Sequence, residues 1–163
     1  MVNYASEKEF IMNIKKVEEK AKEMFGPKGL LCAESVLKTV SDEAGVISPL
    51  IPRIATGFCG GIARTRGICG AVAGGVMALS ILYGRDNTEQ PYDTVYEKVQ
   101  RFLRAFEEDY KSTNCFDLTG CDLSKEEGRQ AFVEKGMIEK CRQFTGRAAS
   151  MVAELFNDEE DKD

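Results

Sequence analysis

The chain has no histidine and no tryptophan. Without imidazole there is no Ser-His-Asp or Cys-His nucleophile pair, no His-ligated haem and no Cys₂His₂ zinc finger. No two cysteines have C-x-x-C spacing, so thioredoxin-like, rubredoxin-like and c-type haem readings fail as well. There is no basic run and the formal net charge is −5, which argues against nucleic acid as a partner. The longest apolar stretch falls short of the ~20 residues a membrane span needs. The opening MVNYASEKEF lacks the basic and apolar regions of a secretory signal. The expectation is therefore a cytoplasmic protein without a membrane span, its thiols normally reduced.

What is present supports a real core. The chain has 163 residues, 43% of them hydrophobic, a size that suits one domain closed by its own packing. The reading is a single helical domain over 1–156 and an acidic, solvated tail over 157–163. No segment alternates with period two, and the periodicity is helical throughout. Ser6 and Glu9 have capping-box spacing before Phe10, Ile14, Val17, Ala21 and Met24, which share one face until Gly26-Pro27. A second helix is expected from Leu30 to Ala44, a third from Ile68 to Tyr83, and a fourth from Pro91 to Tyr110. A capping box at Ser124 and Glu127 opens a fifth that stops at Gly136, and a sixth runs from Glu139 to Phe156. Asn114 to Asp122 reads as a loop. The fold class is all-α, a bundle of five or six helices.

Cysteine is the unusual resource: Cys32, Cys59, Cys69, Cys115, Cys121 and Cys141. Cys69 falls between the glycine turn holding Arg64 and Arg66 and a run of tiny residues. In the first turn of a helix, free N–H groups and the macrodipole favour a thiolate there. Cys69 is thus the candidate redox thiolate, with a small core residue as the plain alternative. Gly67, Gly70 and Gly74 are read as close-packing positions that let other elements approach the site. Cys32 faces the apolar side of the second helix, Cys141 sits in the first turn of the last, and Cys115 follows a long helix. A bundle can bring such positions together.

Two further patterns are weaker. Gly57, Gly60 and Gly61 ahead of Arg64 and Arg66 suggest an anion cradle. They form neither a P-loop, which needs Lys-Ser/Thr, nor a dinucleotide fingerprint, which needs a preceding strand. The carboxylates Glu34, Asp42, Glu43 and Asp109 read as solvated helix faces.

The run Cys69-Gly70-Ala71-Val72-Ala73-Gly74 resembles the C-G-A-x-x-G signature of the C_GCAxxG_C_C family, named for its cysteines and labelled redox-active. The family's upstream cysteine matches Cys32, in Leu31-Cys32-Ala33-Glu34. Its downstream pair matches Cys115, in Asn114-Cys115-x-x-Leu118, and Cys141. Ala55-Thr56-Gly57-Phe58, Leu82-Tyr83-Gly84-Arg85 and Gly120-Cys121-Asp122-Leu123-Ser124 extend the likeness over about Leu30 to Leu155. Cys59 stands where the family has glycines around a phenylalanine, so it counts as an extra; Cys121 is either an extra or trades places with Cys115.

The resemblance implies redox chemistry through Cys32, Cys69, Cys115 and Cys141. Three readings stay open. In the first, the four thiolates converge on an iron–sulfur cluster or another thiophilic metal for electron transfer. In the second, Cys69 attacks a disulfide and Cys32, Cys115 or Cys141 resolves it without metal. In the third, the chain is a helical scaffold with cysteines as core fillers. A redox partner follows from the first two, and a homodimer through the small-residue helix or an apolar stripe is compatible with all three.

Overall fold

A computed structural model describes residues 10–27 and 29–158. Among them are eight α-helices, one 3₁₀ helix and no strand. The helices are α1 (Ile14–Met24), α2 (Cys32–Glu43), α3 (Cys59–Arg64), α4 (Gly70–Tyr83), α5 (Asp93–Tyr110), α6 (Cys115–Thr119), α7 (Glu126–Glu134) and α8 (Met137–Asn157); the 3₁₀ helix, Arg53–Phe58, precedes α3. The all-α expectation holds. The count exceeds five or six because two short elements, α3 and α6, stand in stretches too brief to show a period.

Helix α4, GAVAGGVMALSILY, is apolar on every side, and such a helix must be surrounded. It packs on α2, α5 and α8, while α8 also runs along α1 and α2. Phe102, Phe106, Leu37, Leu79, Met151 and Val152 are fully buried between them. The small residues of α4 set the spacing. A Cβ on Gly74 would stand 2.6 Å from the Ala33 carbonyl oxygen, and one on Gly75 would enter the Phe102 ring. Phe106, Tyr110 and Phe144 lock α5 to α8, with Tyr110 and Phe144 centroids 4.8 Å apart.

Several helix starts differ from the sequence reading. The Ser6–Glu9 box lies outside the described residues; α1 begins later, where the Asn13 side chain accepts from the Lys16 N–H at 2.9 Å. Ser124 bonds back to Asp122 instead of capping, so α7 starts from Lys125. Helix α8 starts at Met137, which places Cys141 in its second turn, not its first. Asn157 ends that helix and exchanges two hydrogen bonds with the Met12 backbone. No helix among the described residues is long and apolar enough to cross a membrane.

Candidate redox site: a cavity ringed by cysteines

Between the N-terminal ends of α2 and α4 lies a cavity of about 680 Å³, and Cys32, Cys59, Cys69, Cys115 and Cys141 all line it. They come from five separate elements. All six cysteines of the chain are free thiols. Cys121 is buried but not on this wall; its N–H bonds to the Thr119 hydroxyl at 3.3 Å. Of Cys115 and Cys121, Cys115 is the one that faces the cavity.

The local fold explains how. Cys32 is the first residue of α2, whose start is held by Glu34. That carboxylate accepts from the Leu31 N–H at 2.8 Å and the Thr56 hydroxyl at 2.6 Å, tying α2 to the 3₁₀ helix. Glu34 is only 9% exposed, which corrects its reading as a solvated face: it is a positioning residue. Asp42, Glu43 and Asp109 do lie at ion pairs, with Lys20, Lys16 and Arg147.

Next comes a left-handed turn. Gly60, Gly61, Ile62, Ala63 and Arg64 all have positive φ, a conformation that costs about 1–2 kcal/mol per L-residue. For β-branched Ile62, at φ 53°, it is a true outlier. The turn is held by bonds from Thr65 N–H to the Gly61 oxygen (3.1 Å) and from Gly67 N–H to the same oxygen (2.9 Å). The Cys115 N–H then bonds the Gly67 oxygen at 2.9 Å, and the Cys69 N–H bonds the Thr113 oxygen at 2.7 Å. Two cysteines from distant parts of the chain are thereby pinned to one loop. Such strain, held from several sides, is typical of functional sites.

Glycines make room for the sulfurs. A Cβ on Gly70 would collide with Cys32 Sγ, and one on Gly61 would stand 2.6 Å from Cys115 Cβ. A Cβ on Gly67 or Gly74 would meet Ile62 or Ala33, not a sulfur. Of the three glycines expected around the site only Gly70 touches a sulfur, and Gly61, which does so too, was read as part of an anion cradle.

The thiols are not alike. Cys69 is the N-cap of α4, not a first-turn residue. Burial pushes its thiol up to about 12, the negative charge of Cys32 adds to this, and the N–H groups of Ala71 and Val72 do not offset it. The lowered thiol expected at Cys69 lies instead at Cys32, held down to about 7. The neighbouring Cys59 thiol is the largest cause, outweighing burial, and the N–H groups of Gly60, Ala33 and Cys32 itself add to the effect. Helix-start stabilisation is real here, but it works at the first residue of α2. Cys59 is raised because its proton serves Cys32; that proton also has the Ala55 oxygen as acceptor, 3.5 Å away. Burial raises Cys115 to about 11 and raises Cys141 further.

Among the described residues no three cysteine or carboxylate side chains stand close enough to hold a single metal ion. The sulfurs surround a space, not a point. The rest of the wall is largely apolar, with Phe25, Leu123, Phe132, Ile138 and Phe144. Arg64 completes the rim, with no carboxylate partner among the described residues.

The family model described as "Putative redox-active protein (C_GCAxxG_C_C)" matches residues 30–155. That span takes in every cysteine of the chain. No curated protein and no solved structure matches it.

Proposed function

The chain belongs to the C_GCAxxG_C_C family, and from that premise we propose that the cysteine-ringed cavity is an electron-transfer centre that holds an iron–sulfur cluster. The observation that carries this is the meeting of five thiols from separate elements on one cavity. Chance burial of small apolar side chains would scatter them through the core.

The donors suit such a group. All are sulfur, the ligand clusters prefer. They stand around a volume instead of a point, which fits a polynuclear centre better than a lone ion. Burial keeps Cys69, Cys115 and Cys141 protonated in the free protein; a bound cation supplies the charge that lets buried thiols release protons. Cys32, Cys69, Cys115 and Cys141 would hold the cluster, which supplies one-electron chemistry. Cys59 stands beside Cys32 as a fifth thiol. The chain's own part is to desolvate the site, fix the sulfurs through the left-handed turn, and donate N–H groups toward Cys32.

The test is anaerobic reconstitution with iron and sulfide, read by visible absorption. Cys69→Ala is expected to abolish the chromophore and Cys121→Ala to retain it. Equal spectra from the two variants would sink the assignment.

One contact favours a second reading. Cys32 and Cys59 meet at Gly70, where an added Cβ would collide with the Cys32 sulfur and stand 3.2 Å from the Cys59 Cα, a proximity suited to dithiol exchange. Cys32 would attack glutathione disulfide, releasing one glutathione thiolate; Cys59 would attack the mixed disulfide, releasing the second. The protein loses two electrons and the disulfide gains them. This replaces Cys69 by Cys32 as attacking thiol. Peptide mapping after incubation with glutathione disulfide should then find a Cys32–Cys59 bond.

A further inference from the structure

The chain carries 27 acidic residues, yet from Ala44 to Arg85 there is none. All four charges in that stretch are arginines: Arg53, Arg64, Arg66 and Arg85. Part of the stretch, between Thr56 and Ala71, lines the cysteine cavity. Its 3₁₀ helix buries only Ala55, and the stretch turns four large apolar side chains outward. Ile47 is 97% exposed, Leu50 56%, Ile54 54% and Phe58 40%. A Cβ at Gly57 would meet nothing within 4 Å, so backbone is open to close approach. Arg53 and Arg64 are exposed and have no carboxylate partner among the described residues. Leu31, itself exposed, joins this surface to the cavity wall, as do Cys59, Gly60 and Arg64.

A protein of net charge −5 thus presents a run of exposed apolar side chains that leads to the thiol cavity and carries arginine as its only charge; Arg66 at its end pairs with Asp122 at 3.9 Å, while Arg53 and Arg64 stay unpaired among the described residues. We infer that this face, from Ile47 to Arg66 with Leu31, docks an acidic electron-carrier protein. The inference rests on the redox reading of the cavity. Arginine is favoured at interfaces, and an apolar centre with a charged rim is their usual anatomy. Complementary charge would steer an acidic carrier to this face against the overall repulsion of two acidic proteins. Nucleic acid shares the negative charge, but it has no use for Ile47, Leu50 and Ile54. Continuity with the cavity wall puts a docked carrier next to Cys59 and the Cys32 end of the site.

The test is a titration of the ¹⁵N-labelled full chain with a flavodoxin, taken as the acidic carrier, followed by amide shifts at low and physiological ionic strength. Shifts are expected to cluster over residues 47–66 and to fade with salt. The Arg53→Glu/Arg64→Glu double variant should weaken binding about tenfold or more. Arg85→Glu, which sits over the Tyr92 ring at the far end of α4, should change it less than about twofold. Shifts elsewhere, no binding, tighter binding of basic cytochrome c, or an equal map from a single-stranded oligonucleotide would each overturn the docking assignment. Ferricyanide added to the same reduced sample separates the two claims. Oxidation by ferricyanide without the flavodoxin map refutes the docking face alone; inertness to ferricyanide refutes the redox reading.

Discussion

The two ends of the Gly70–Gly75 stretch of α4 use the same small residue for different purposes. At Gly75 the missing side chain admits the Phe102 ring, which is fully buried. At Gly70, little more than one turn earlier, it admits the sulfur of Cys32 at the edge of a large cavity. One end is filled to close packing, and the other is held open by a strained turn. The difference teaches that glycine spacing along a helix reports close approach but not what approaches. The filled end sets stability, and the open end sets chemistry.

Substitutions can break that division. The largest effect is expected from Phe102→Ala, which empties the filled end: a loss of about 3–5 kcal/mol in denaturant unfolding. Gly75→Ala drives a methyl into the same ring and should cost about 1–3 kcal/mol. Neither should change the iron content per folded chain. Gly70→Ala should do the reverse, with a smaller stability loss but a reconstituted spectrum that is weakened or absent, because Cys32 Sγ must move. If Gly70→Ala kept its chromophore while Gly75→Ala lost it, the two ends would have been assigned the wrong way round.

Alkali sharpens the comparison. Cys59, Cys69, Cys115 and Cys141 all have raised folded pKa values. Above the ordinary thiol pKa the unfolded chain ionises them and the folded chain does not. Each then costs about 1.4 kcal/mol per pH unit. Cys32, held at about 7, acts oppositely: its contribution is complete above the ordinary thiol pKa and is lost as pH falls toward 7. Above pH 9 the Cys32 contribution no longer changes, so the four raised thiols alone set the slope and metal-free protein should destabilise between pH 9 and about 11. Unfolding midpoints across that range check it, and Cys69→Ala should flatten the slope. The smallest effect belongs to Cys121→Ser, off the cavity wall: a modest stability change and an unaltered site.

Much of this was legible in the chain. The long helices follow from their stripes, as with Val95, Phe102 and Phe106 on α5. The four cysteines singled out by type and order line one cavity. The left-handed turn is not legible: Ile62, Ala63 and Arg64 carry no αL signal, and the turn is held by local bonds from Thr65 and Gly67 to the Gly61 oxygen and braced by the long-range bond from Cys115 to Gly67. Cys59 looked like an extra because its meeting with Cys32 depends on that turn. The ionised thiol was misplaced for a related reason. A helix start is visible in sequence, whereas the burial that overrides it at Cys69 is set by α2, α6 and α8 closing around the cavity. Glu34 was missed because its partner Thr56 is 22 residues away.

The most direct test of the central claim is the iron and acid-labile sulfide content of protein purified without oxygen, taken with its visible spectrum. Iron and sulfide in comparable amounts, with charge-transfer absorption that disappears in Cys69→Ala, is the result the cavity predicts. A colourless protein that takes up neither on reconstitution, with all six thiols still titrating, would contradict it.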